Sequence, residues 1–145
     1  MGSSDRRAFL KGTFVCCKAG LSIMKAQGSG KIVNMAMASV AGEKGNANMA
    51  PYSPVKAGTI GSTKTLGKEM APYYVHINCV SPALIETDMA KELSPEERTV
   101  LTSKIPLGRM DKPGEVAAVV KFLVPNEASF VAGRCYDING GRSVF

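Results

Sequence analysis

Short apolar strands alternate with helix-length segments along this chain, and that order predicts an α/β domain around a parallel sheet. The segments 31–36 and 75–80 are rich in Ile and Val and bracketed by Gly or Pro, as strands buried on both faces require. The segments between them carry apolar residues three and four apart, the spacing of a helix with one buried face. With 145 residues the chain has enough length for one domain with its own core, taken as residues 1–145.

Residues 8–27 predict the first helix, with Leu10, Phe14, Leu21 and Met24 marking its apolar face. Gln27-Gly28-Ser29-Gly30 stops it. Met1 to Ser4 carries no structural expectation. A strand follows at 31–36, then a loop at 40–49 rich in Gly, Asn and Ala. The second helix runs over 51–70, with Val55, Thr59, Ile60, Thr63 and Leu66 at helical spacing. Pro51 and Pro54 fall in its first turn, where no backbone hydrogen bond is lost. Ala71-Pro72 ends it before the strand at 75–80. Residues 83–112 read as a long, mobile excursion, expected to act as a substrate lid. Within it Ser94, followed by Pro95-Glu96-Glu97, caps a short helix. An amphipathic helix at 113–124 and a last strand at 134–139, closed by Gly140-Gly141, complete the order.

Composition narrows the function. A hydrophobic share of 45% with 21% charged residues fits a soluble globular chain and argues against disorder. No apolar run is long enough to span a bilayer, and no apolar segment with a small-residue cleavage site follows the N-terminal charges. A cytoplasmic protein without a membrane partner is the expectation. The net charge of +6 comes from scattered Lys and Arg, whereas nucleic-acid binding needs a stripe or patch. Four cysteines (Cys16, Cys17, Cys79, Cys135) show no metal-ligand spacing and are expected reduced and buried, with no metal site. His76, the one histidine, alternates with Val75 and Ile77 and reads as structural. Asn34 and Asn78 are expected to hydrogen-bond neighbouring loops.

Tyr52 and Lys56 stand four apart near a helix start, so their side chains project from one face. A phenol titrates near pH 10 and serves poorly at neutral pH, but a nearby ammonium and the helix N-terminus both favour the phenolate. Such a pair suits proton transfer to or from a carbonyl oxygen. By itself the spacing occurs by chance on many helices. Ser39, thirteen residues before Tyr52 and just past the strand at 31–36, adds a hydroxyl where open α/β sheets bind ligands.

The stretch from Gly30 through Ser39 to Gly42, followed by Tyr52-Ser-Pro-Val-Lys56-Ala-Gly58, resembles the short-chain dehydrogenase/reductase family. Asn78-Cys-Val-Ser-Pro82-Ala83-Leu-Ile85-Glu-Thr87-Asp-Met89 looks like the family's loop against the nicotinamide. Ile105 to Val116 and Ala128 to Gly141 look like its penultimate helix entry and last strand, so the likeness covers residues 9–141. The resemblance implies the C-terminal part of a Rossmann-like, doubly wound parallel sheet. It implies an oxidoreductase moving hydride between NAD or NADP and a carbonyl or secondary alcohol. Catalytic roles would fall on Ser39, Tyr52 and Lys56, and cofactor contacts on Tyr52, Lys56, Pro82, Ile85 and Thr87. It also implies homo-oligomers through the helices at 8–27 and 51–70. Among family members, 3-oxoacyl-carrier-protein reductases and sugar-acid dehydrogenases are the most similar in flavour.

Three departures stand against that pattern. No Gly-rich turn opens a helix after a first strand, so the N-terminal strands and the pyrophosphate cradle are expected to be missing, and Gly28-Ser29-Gly30 precedes a strand instead. Phe9 stands where the family has an Asn on its proton-relay path. Ala83 replaces a Gly, and Pro54 lies inside the Tyr–Lys spacer. These departures keep a second reading open: a truncated, catalytically inactive remnant that acts through protein–protein association. In either case the strand at 31–36 is expected to have one unpaired edge.

Overall fold

In the computed structural model the described residues are 3–36 and 53–142. Helix α1 spans Ser3–Gln27, strand β1 Gly30–Met35 and helix α2 Ser53–Met70. Strand β2 spans Val75–Pro82, and two short helices follow, α3 at Asp88–Lys91 and α4 at Pro95–Thr102. Helix α5 covers Pro113–Leu123 and strand β3 Cys135–Ile138. The sheet is parallel throughout, in the order β1-β2-β3. Gly30 faces Val75 at one end of the first ladder and Met35 faces Val80 at the other, while Cys79–Pro82 pair with Cys135–Ile138. Among the described residues no strand pairs with the far edge of β1.

Helices cover both faces of this sheet. Alternation along the strands sends Ile32, Val75 and Ile77 to one face, where they meet Cys17, Leu21 and Met24 of α1 and Leu66 and Met70 of α2. Val33, Met35, Val80, Tyr136 and Ile138 face the other way, against Val116, Val119, Val120 and Leu123 of α5. The central strand β2 is buried on both faces, which explains its near-continuous apolar run.

The chain stops its first helix with glycine. Gly28 takes a left-handed φ of 67°, its N–H donates to Lys25 O, and the Ser29 N–H donates to Met24 O. Together these satisfy carbonyls that the helix end would leave bare. The start differs from expectation. Helix α1 begins at Ser3 rather than residue 8, so residues given no structural role are helical. Phe14, one of the residues marking the apolar face, is 55% exposed.

The segment 83–112, expected as one mobile excursion, holds α3 and α4 and is tied back by a parallel bridge between Ile85 and Asp111. The cap of α4 is the one its sequence predicts. Ser94 Oγ accepts from the Glu97 N–H and Glu97 Oε2 accepts from the Ser94 N–H, at 3.2 and 2.9 Å. Ser94→Ala should cost about 1 kcal/mol, readable as a lower urea midpoint with an unchanged slope. Two further expectations are corrected. Asn34 bonds helices rather than loops: its amide donates to Thr63 Oγ1 of α2, and its carbonyl oxygen accepts from the Cys17 thiol of α1. Of the four cysteines expected buried, Cys16 is exposed on α1 and Cys135 is only partly buried on β3, an edge strand of the sheet.

Candidate functional site

The C-terminal ends of the three strands form one rim of the sheet, where open α/β folds present their ligand sites. Lys56 reaches this rim from the first turns of α2. Its side chain is 2% exposed, and its Nζ lies 4.0 Å from Asp137 Oδ1 on β3. An ammonium so deeply placed needs a counter-charge, and Asp137 supplies one while keeping some contact with water. In the ladder Asp137 faces Ser81 and Ile138 faces Pro82, so the end of β2 sits directly beside this pair. Ser81 and Pro82 are buried. The Ala83 N–H donates to Ile138 O at 2.9 Å and carries the sheet pattern one residue further.

Beyond Pro82 the chain runs beside Asp111. Asp111 N donates to Leu84 O and Glu86 N donates to Asp111 O, both at 2.8 Å. This pattern turns the backbone N–H of Ile85 away from Asp111, toward the opposite side of the segment. The Thr87 N–H folds back onto Ile85 O, and the Thr87 side chain is exposed. Ser39 and Tyr52 lie outside the described residues, as do the 40–49 loop and Pro51. Of the predicted site residues, Lys56 and Pro82 gather at the rim, and Ile85 and Thr87 occupy the segment that leaves it.

A cavity of about 300 Å³ opens next to the rim, walled by Ala83, Leu84, Ile105, Met110, Asp137 and Asn139 among others. Its floor is the turn after β3, where Gly140 at φ 60° brings its backbone against Ile105, so that a Cβ there would meet Ile105 Cγ2 at 2.7 Å. At its mouth Arg109 grips Glu115 with both guanidinium nitrogens, at 2.6 and 2.8 Å, and the Lys112 N–H adds a third donor at 2.8 Å. Those donors pull the Glu115 pKa down to about 2, Arg109 contributing most. Burial, and then Glu115, push the Asp111 carboxyl above its usual range. Burial, and then the Lys31 ammonium, push His76 below the usual imidazole range.

These shifts set an acid response. Glu115 binds its proton less readily folded than unfolded, so its stabilisation is complete above pH 4.5 and is lost as pH falls toward 2. His76 acts in the same direction at higher pH, because the unfolded imidazole takes up a proton from about pH 6.5 downward. Asp111, with its raised pKa, opposes the trend at low pH. Urea midpoints should therefore fall in two stages between pH 7 and pH 2, and Glu115→Gln should flatten the lower stage alone.

The rim pair Lys56–Asp137 is what sequence reading missed. The alternation along β3 held a signal, since Cys135 and Asp137 share one face of that strand. Nothing in the spacing said that this face lies under Lys56.

Residues 7–143 match the family model described as Enoyl-(Acyl carrier protein) reductase. The chain belongs to the short-chain dehydrogenase/reductase family. It is 42% identical over 132 residues to a 3-oxoacyl-[acyl-carrier-protein] reductase of Vibrio cholerae, covering 91% of this chain and 53% of that protein. It is also 42% identical over 136 residues to a 2-dehydro-3-deoxy-L-rhamnonate dehydrogenase (NAD(+)) of Sphingomonas, covering 94% of this chain and 54% of that one. The crystal structure of a 3-oxoacyl-[acyl-carrier protein] reductase from Brucella melitensis superposes with a TM-score of 0.87 at 34% identity, over 97% of this chain and 54% of the other. This short-chain dehydrogenase/reductase chain thus spans about half the length of the relatives it matches. Its three-stranded sheet corresponds to part of their Rossmann-like fold. Among the described residues no helix is long and apolar enough to cross a membrane.

Proposed function

We propose that this chain carries the acid–base half of an NAD(P)-dependent oxidoreductase acting on a carbonyl or secondary alcohol. The observation that carries the reading is Lys56, buried at the C-terminal rim of the sheet beside Asp137. A lysine placed there for packing alone would incur a large desolvation cost with no return, whereas a site that must hold a cation gains from it. The chain's own residues fit a nicotinamide cofactor. Lys56 presents an ammonium for ribose hydroxyls, the Ile85 backbone N–H faces away from Asp111 and suits a carboxamide oxygen, and Pro82 and Thr87 border the same segment. The bound nicotinamide would supply or accept the hydride.

The remaining roles follow from the family pattern. Tyr52 donates a proton to the carbonyl oxygen during reduction and recovers it during oxidation. The ammonium of Lys56 favours the phenolate form of Tyr52, and Ser39 holds the substrate oxygen by a hydrogen bond. The relatives named as acting on 3-oxoacyl-carrier protein and on 2-dehydro-3-deoxy-L-rhamnonate are oxidoreductases of this type.

Calorimetric titration of the purified chain with NADH and with NADPH tests the reading and reports the cofactor preference. Micromolar affinity, reduced at least about tenfold (about 1.4 kcal/mol) by Lys56→Ala, is the expected result. No heat of binding up to millimolar cofactor would leave the inactive, partner-binding chain as the correct reading.

The same reading includes homo-oligomers through α1 and α2. Phe14, Val15 and Ile23 are 55%, 51% and 67% exposed on α1. A shallow groove between the two helices is lined by Phe14, Leu21, Leu66 and Met70. Sedimentation velocity should give a dimer or larger species, and Ile23→Glu should shift it toward monomer. A monomeric wild-type chain at micromolar concentration sinks this part.

A further inference from the structure

We propose that Cys79 and Cys135 form a redox-active dithiol that a peroxide closes to a disulfide. The two residues are direct partners in the β2–β3 ladder. In-register residues of neighbouring parallel strands project to the same face, with backbones about 4.8 Å apart. That spacing lies inside the Cα–Cα range of about 4.4–6.8 Å that a disulfide tolerates. The Cys135 thiol lies close enough to act on the Cys79 thiol electrostatically, and the Thr63 side chain from α2 acts on Cys79 as well. The Cys79 N–H donates to Arg134 O at 2.8 Å, which fixes the register immediately beside the pair. Parallel rather than converging Cβ vectors make the closed bond strained, and strained disulfides are the readily reduced, reversible ones.

Accessibility decides the order of events. Cys79 is 0% exposed, whereas Cys135 is partly exposed on the outer strand. Contact with Cys135 and burial both push the Cys79 thiol up, so it stays protonated while Cys135 meets the oxidant. The Cys135 sulfur attacks one peroxide oxygen, the O–O bond breaks, and one water leaves with the thiol proton. The Cys79 sulfur then attacks the sulfenic sulfur, the S–O bond breaks, and a second water leaves with the Cys79 proton. Two thiols lose two electrons and one hydrogen peroxide becomes two waters. The new bond ties β2 to β3 one strand repeat below Ser81 and Asp137. This inference does not depend on the oxidoreductase reading, because neither cysteine belongs to that machinery.

The test is hydrogen peroxide treatment of the full chain in a Cys16→Ser background, since Cys16 is exposed and would otherwise cross-link chains. Alkylation after unfolding and non-reducing peptide mass mapping then read the products. The expected product is a monomer lighter by two hydrogens, in which the peptides bearing Cys79 and Cys135 are linked and dithiothreitol restores both thiols. Cys79→Ser should divert Cys135 to the sulfinic acid, and Cys135→Ser should leave Cys79 a free thiol. Cys79 remaining alkylatable while Cys135 carries the sulfinic acid, or Cys79 linked to Cys17, overturns the proposal. The mapping in the Cys16→Ser background decides it even where either further serine variant fails to fold.

Discussion

Gly67→Ala should destabilise the chain by about 3 kcal/mol, the upper end of the usual cost of overpacking. Gly67 is buried on the face of α2 that crosses the β2–β3 connection. A Cβ there would stand 2.6 Å from Gly133 Cα, 2.7 Å from Gly133 N and 3.2 Å from Ile77 O. All three are backbone atoms, so no side chain can rotate out of the way. Two of them form one hydrogen bond, from the Gly133 N–H to Ile77 O at 2.8 Å, which anchors the chain entering β3. Relief requires α2 to lift or that bond to break. Gly61→Ala is the matched control, because a Cβ at Gly61 meets nothing within 4 Å. It should instead stabilise α2 by about 0.5–1 kcal/mol, the ordinary helix preference for alanine over glycine. Thermal melts should separate the two variants in opposite directions, with Gly67→Ala lower than wild type by on the order of 10 °C. Equal melting points would mean that α2 does not sit this tightly on the sheet.

Lys56→Met separates binding from folding. Methionine keeps the length and much of the volume of the buried stem and removes the charge. Removing one member of a fully buried pair strands its partner at a cost of about 3–5 kcal/mol. Asp137, however, keeps 22% of its side chain exposed and so retains part of its hydration. The ammonium, at 2% exposure, is the group that bears most of the desolvation cost. Losing it should therefore change stability by less than about 1 kcal/mol, while cofactor affinity falls at least about tenfold. A methionine variant that binds NADH or NADPH as wild type does would remove Lys56 from the site. One that unfolds would show the ion pair to be structural.

Much of the architecture was legible because it rests on local rules. Ser94 with Glu97 is a cap that needs only its own neighbours, and the structure has it. Gly28 ends α1 because a left-handed residue costs glycine nothing. The Ile and Val runs of β1 and β2 belong to strands covered on both sides, and they lie in a parallel sheet between two helix layers. The start of α1 was missed because Ser3 to Ala8 lacks an apolar stripe, and helical extension there needs none. The site was legible in part. Lys56 and Pro82 stand at the rim, while Ser39 and Tyr52 lie outside the described residues.

The order of elements, the parallel sheet and the family can be read from the amino-acid order alone, because each rests on residues close together in the chain. Which residues become neighbours depends on how the elements pack. Asp137 and Lys56 are far apart in sequence, and β3 must be laid beside β2 in one register before the carboxylate meets the ammonium. The same register brings Cys79 to Cys135, and the same packing of α2 on the sheet takes Asn34 to Thr63 rather than to a loop. Periodicity reports which face of a strand is buried. The identity of the partner on that face is set by register and helix docking, which no local pattern encodes.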